Sequence, residues 1–107
     1  MDDLASEISD KIFLKDLRNE FFLNVISGIE KLEKYIKEEN YGEMRKIAHD
    51  MKGVSSVFGY DKGSHLSENL MNAIDEKNKK LIKSITDEVI EYYKRDVIAD
   101  KNDQEDE

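Results

Sequence analysis

The chain has 107 residues, of which 39% are charged and 38% hydrophobic, and its formal net charge is −8 at pH 7. This negative charge argues against nucleic-acid binding, because a phosphate backbone would be repelled. The absence of cysteine excludes disulfides and thiolate metal sites, and the apolar runs are too short for a membrane span. The acidic start of the chain is unlike a signal peptide, so the cytoplasm is the expected location. Without proline and with only five glycines, the chain predicts a single all-α domain.

A long first helix is predicted from about Ser9 or Asp10 to Ile36. Its apolar residues recur mostly at alternating spacings of three and four, which is typical of a helix in a bundle. These residues are Leu14, Leu17, Phe21, Phe22, Val25, Ile29, Leu32 and Ile36. Leu4 and Ile8 indicate a short extra helix before it.

A second helix is expected to begin near Asn40, which can cap it, and to end near Phe58. Its apolar side is predicted to be buried and consists of Met44, Ile47, Met51, Val54 and Phe58. His49 lies on the opposite, polar side, close to Lys52 and Gly53 at helical spacing. The imidazole of His49 is therefore expected to stand in water.

Two further helices follow in the sequence. Gly59, Asp61 and Gly63 predict the connection before the third helix, and Asn78 is a candidate cap for the fourth. Their apolar positions again follow the spacing of three and four: Leu66, Leu70, Ala73 and Ile74, then Ile82, Ile85, Val89, Tyr92, Tyr93 and Val97. Residues 1–99 thus predict an antiparallel up-down four-helix bundle, and residues 100–107 predict an acidic disordered tail or the start of a linker.

The segment AHDMKGVSSVFGY around His49 carries a specific motif. The histidine is followed by lysine at +3, glycine at +4 and glycine at +10, which are Lys52, Gly53 and Gly59. This pattern resembles the signature of histidine-containing phosphotransfer domains. The following HLSENLMNAID, with His65 and Glu68, is similar to the next helix in the phosphotransfer domain of chemotaxis-type histidine kinases.

The resemblance implies that His49 is phosphorylated and passes the phosphoryl group on. We expect the attack to come from Nε2, with Glu68 holding the Nδ1 proton and His65 as a supporting residue. Lys52 is expected to meet the charge on the phosphoryl oxygens, and Gly53 to leave room for a partner's active site. The implied partners are the ATP-binding domain of a histidine kinase and the receiver domain of a response regulator. Neither a cofactor nor a metal is expected.

Arg45 and Lys46 precede His49 by four and three positions, so with Lys52 they predict a positive surface on an acidic protein. Such a surface suits docking of the acidic pocket of a receiver domain. The alternative is that they only solubilise the helix and pair locally with Glu43. For Arg45 the two interpretations are equally supported.

Two other functions remain as alternatives. The bundle could be a helical protein-interaction module that is never phosphorylated, or His49, His65 and Glu68 could bind a metal, although a second paired metal-binding motif is lacking. The chain has no nucleotide-binding motif, so any kinase activity would belong to other domains of a longer protein. Whether the chain is part of an enzyme is left open by the sequence.

Overall fold

The computed structural model describes the backbone of residues 2–105 and the side chains of residues 13–102. Its helices are α1 (Asp2–Glu38), α2 (Tyr41–Val57), α3 (Asp61–Asp75) and α4 (Lys79–Tyr92), and α4 continues through a π-helical segment (Tyr93–Ile98) into α5 (Ala99–Glu105). Each of the first four helices contacts its neighbours along the chain, and α1 also contacts α4. Because only short connections join them, successive helices run antiparallel. The predicted all-α four-helix bundle is confirmed.

The boundaries of α2 and α4 follow from two asparagine caps. The Asn40 side chain accepts a hydrogen bond from the Glu43 N–H at 3.3 Å, and the Asn78 side chain accepts one from the Leu81 N–H at 3.1 Å. Each cap satisfies a backbone donor that the first turn of a helix leaves without a partner. Both caps were predicted from the sequence, and both are confirmed.

Helix α1 differs from its prediction at the N-terminal end. It runs without a break from Asp2, so the separate short helix before Ser9 is not formed. The physical reason is that the first 27 residues contain neither proline nor glycine, and nothing in them stops a helix that has begun.

The first turns of α1 also extend beyond α2, α3 and α4, which have only 14 to 17 residues against 37 in α1. The expectation that Leu14 and Leu17 belong to the buried side is therefore wrong: their exposed fractions are 60% and 37%. The residues of α1 that do form the core are Phe21, Phe22, Val25, Ile29 and Leu32.

Gly63 was expected in the connection before α3, and this expectation is wrong as well. Gly63 is buried inside α3, where a Cβ atom would lie 2.7 Å from the hydroxyl oxygen of Tyr93. That hydroxyl is fully buried and lies 2.6 Å from the Ser55 Oγ and 3.4 Å from the Ser67 Oγ. Glycine is needed here because α3 passes very close to the hydroxyl end of Tyr93 and to the ring edge of Tyr92.

The composition predicts a disordered tail from residue 100 onward. In the structure, helix α5 continues to Glu105. Asp100 is anchored to the bundle, since it accepts a hydrogen bond from the Tyr60 hydroxyl at 2.9 Å. Burial and this hydrogen bond raise the pKa of Tyr60 to about 12. The ring of Tyr60 stacks on Phe21, so the contact joins α5 to the core of the bundle.

Candidate functional site

Helix α2 presents His49 to the solvent. Its core side is formed by buried residues, including Ala48 and Met51 on either side of the histidine. Because neighbouring positions on a helix point about 100° apart, this burial turns His49 outward. Its side chain is 70% exposed, as the sequence predicts, and a reaction partner can therefore reach it.

An open groove of about 620 Å³ lies beside the histidine, between α1 and α2. From α2 it is lined by His49, Gly53 and the highly exposed Val57, and from α1 by Gly28 and Lys31, among others. A Cβ atom on Gly28 would lie 3.3 Å from the Met51 sulfur, so the two helices approach each other closely beneath the groove. The imidazole thus stands at the edge of a concave surface.

The two glycines of the motif, Gly53 and Gly59, differ in whether the fold itself requires a glycine at their position. Gly59 adopts a φ of +86°, a left-handed conformation that favours glycine, and it lies in the short connection just after the end of α2. Gly53 lies within α2, and a Cβ atom there would meet no atom within 4 Å. Packing inside the bundle therefore does not explain Gly53, although a glycine at an exposed helix position costs about 1 kcal/mol relative to alanine.

Lys52 and Glu68 form an ion pair across α2 and α3, with 3.4 Å between Nζ and Oε1. The sequence predicted instead that Glu68 accepts a hydrogen bond from His49 Nδ1, and the described side chains form no such bond. The carboxylate near Nδ1 is that of Asp50, whose Oδ1 lies 3.7 Å away. Sequence reasoning missed Asp50, and its only signal was its position next to the histidine.

His65 is exposed on α3, one turn before Glu68. Among residues 13–102 it forms neither a hydrogen bond nor an ion pair, so the structure brings it to the same helix as Glu68 without linking it to His49. Its supporting role stays a prediction.

The predicted positive surface is largely paired with carboxylates. Arg45 donates two hydrogen bonds to Asp75 on α3, at 2.7 and 2.9 Å, and Lys46 pairs with Glu43 at 3.2 Å. The hydrogen bond from Arg45 holds the pKa of Asp75 below its usual range. The local pairing with Glu43 that the sequence offered as an alternative is formed by Lys46 only. Arg45 pairs instead with Asp75 on the next helix.

Within the described part of the chain, no group of three or more histidine or acidic side chains is arranged to hold a metal ion. Its helices also include none that is both long enough and apolar enough to cross a membrane.

Comparison with known proteins identifies a family whose model matches the chain. The family model of the Hpt domain matches residues 12–98, which is most of the chain and includes α2, α3 and α4. No curated protein and no solved structure matches the chain.

Proposed function

Because the chain belongs to the Hpt domain family, whose members carry out histidine phosphotransfer in phosphorelay signalling, we propose that His49 carries the phosphoryl group here. Its donor is the ATP-binding domain of a histidine kinase, and its acceptor is the aspartate of a receiver domain. The observation that carries this proposal is the exposed imidazole beside Gly53, a glycine for which the bundle itself has no packing need.

The chemistry needs little covalent machinery from the protein. The Nε2 lone pair of neutral His49 attacks phosphorus, the P–N bond forms, and the bond from phosphorus to the donor's leaving group breaks. In transfer to the receiver, the aspartate oxygen attacks and the P–N bond breaks. Negative charge spreads over the phosphoryl oxygens in both steps, and in this proposal Lys52, one turn further along α2, stabilises it.

The groove between α1 and α2 supports docking of a partner at this histidine. It is concave, it includes the exposed Val57, and His49 lies on its edge. Arg45 and Lys46 lie on the same helix, and we propose that they contribute to docking by exchanging their present carboxylate partners for acidic groups of the receiver.

Labelling tests this function directly. Purified protein incubated with acetyl phosphate or with a histidine kinase and ATP should take up phosphate that is acid-labile and alkali-stable, as expected for a phosphorus–nitrogen bond. A protein that takes up no label from any donor would instead favour a helical interaction module. Alkali-labile label would indicate an acyl phosphate on a carboxylate.

Replacing Gly53 with glutamine should slow phosphotransfer without unfolding the bundle. The added side chain finds open space in the free protein, but it occupies the room above the imidazole that a partner needs. The measurement is the rate of transfer to a receiver domain, with circular dichroism to verify folding. Gly53→Ala is the matched control, because its single methyl group should leave the rate near the native value. A normal transfer rate in the glutamine variant would show that Gly53 is not needed to leave room for the partner.

Replacing Lys52 with alanine should lower the transfer rate roughly tenfold, because a positive group near the transferring phosphoryl group is lost. The free energy of unfolding should change little, since exposed ion pairs contribute at most about 1 kcal/mol. Lys94→Ala is a control that removes the same charge from a lysine paired with Glu33, away from the site. Equal rates for the two variants would show that Lys52 has no specific part in transfer.

A further inference from the structure

The ion pair between Lys52 and Glu68 gives Glu68 a role other than the one expected from the sequence. We propose that Glu68 is a positioning residue that acts through Lys52: it holds the ammonium group between α2 and α3 while His49 is free, and it releases the ammonium group to the phosphoryl group once His49 is phosphorylated. This inference rests on the proposed phosphorylation of His49. The pair links the helix that carries the histidine to the next helix, so the exchange would couple both helices to the phosphorylation state.

The geometry allows Lys52 to pair either with Glu68 or with a phosphoryl group on His49. Lys52 lies three positions after His49, and side chains at this spacing are neighbours on a helix surface, with about 5–6 Å between their Cβ atoms. Its Nζ lies 3.4 Å from Glu68 Oε1, and the side chains of Lys52 and Glu68 are 41% and 48% exposed. A lysine on its flexible four-carbon stem can therefore rotate from the carboxylate toward the imidazole.

The charges favour this rotation after phosphorylation. A carboxylate carries a charge of −1, whereas a protein-bound phosphoryl group carries roughly −1.5 to −2 at neutral pH. At equal distance, the attraction of an ammonium group scales with the charge that it faces. Glu68 also has no hydrogen bond to His49 to keep it in place, and the carboxylate near Nδ1 belongs to Asp50.

The exchange would change the surface that a partner meets. In the unphosphorylated protein, the positive charge of Lys52 and the negative charge of Glu68 offset each other between α2 and α3. After phosphorylation, Lys52 offsets part of the charge of the phosphoryl group, and Glu68 is left as an unpaired carboxylate on α3. A kinase and a receiver could use this difference to distinguish the free carrier from the loaded one.

The test is a double-mutant cycle on the phosphorylation equilibrium. In a mixture of phosphoramidate and ammonia, Nε2 of His49 gains the phosphoryl group as the P–N bond of the donor breaks and ammonia leaves, and phosphorus NMR measures the phosphorylated fraction. Glu68→Gln should raise the equilibrium constant about two- to fivefold, because phosphorylation no longer breaks an exposed ion pair. In the Lys52→Ala background the same change should have an effect of about 1.5-fold or less, since separated exposed charges are largely screened.

Glu33→Gln is the matched control. Glu33 pairs with Lys94 at 3.1 Å, its side chain is 46% exposed, and its partner lies in the π-helical segment. Removing this carboxylate should leave the equilibrium constant unchanged. A general effect of net charge would instead raise it as much as Glu68→Gln does, and this result would overturn the proposal.

Two other outcomes would also overturn it. If Glu68→Gln lowers the equilibrium constant in both backgrounds, Glu68 acts on His49 itself. If it raises the constant equally in both, Lys52 is not the intermediary. A native protein that takes up no phosphate on His49 would instead contradict the proposed function, which is a separate result. Circular dichroism of each variant verifies that the bundle is folded.

Discussion

Replacing His49 with glutamine should abolish phosphoryl uptake while the bundle stays folded. The imidazole is the proposed nucleophile, and a glutamine amide offers no comparable lone pair to attack phosphorus. The side chain is 70% exposed and contributes little to the core, so the melting temperature should stay within about 2 °C of the native value. The measurement is radiolabel from a kinase and ATP, compared with native protein in the same assay.

The chain offers a matched control for this experiment, since it contains only one other histidine. His65→Gln should retain the label, because His65 has no bond to His49 in the described structure. Label at the native level in the His49 variant, with loss of label in the His65 variant, would show that the phosphorylated residue is on α3 instead of α2.

Replacing Gly63 with alanine should destabilise the fold by about 2 kcal/mol, or roughly 10 °C in melting temperature. The new Cβ atom would lie 2.7 Å from the Tyr93 hydroxyl oxygen and 2.9 Å from Cε2 of Tyr92. The Tyr93 side chain cannot simply move away, because its hydroxyl is buried and hydrogen-bonded to Ser55. Thermal and urea unfolding followed by circular dichroism would measure the change.

Replacing Gly53 with alanine should change the stability of the protein in the opposite direction. Gly53→Ala adds a methyl group in open space and removes a poor helix former, so it should stabilise the protein by up to about 1 kcal/mol. The comparison separates the cost of a clash from the general effect of glycine in a helix. If both variants were stabilised, the close approach of α3 to Tyr93 would be refuted.

The fold could be predicted from the sequence because its signals are local. The apolar spacing and the caps Asn40 and Asn78 each depend on a few successive residues, and they located α2 and α4 correctly. The position of His49 on the exposed side of α2 followed in the same way. Such signals need no knowledge of how one helix lies against another.

The features that could not be predicted depend on contacts between helices. Leu14 looks like any core leucine of α1, and only the shorter lengths of α2, α3 and α4 explain why it stays exposed. Gly63 reads as a turn residue until Tyr93 is placed beside it. The partner of Glu68 depends on the register of α3 against α2, and the sequence alone could not distinguish Lys52 from His49.

The length of α1 determines how the molecule moves in solution. At 1.5 Å per residue its 37 residues span about 55 Å, close to the longest dimension of the molecule, 58 Å against 25 and 20 Å. The radius of gyration is 16.0 Å, whereas a compact chain of this length has about 13 Å. The frictional drag of a single chain is thus larger than that of a sphere of equal mass, and its tumbling is anisotropic. On a gel-filtration column calibrated with globular proteins, the monomer would elute early and resemble a larger species.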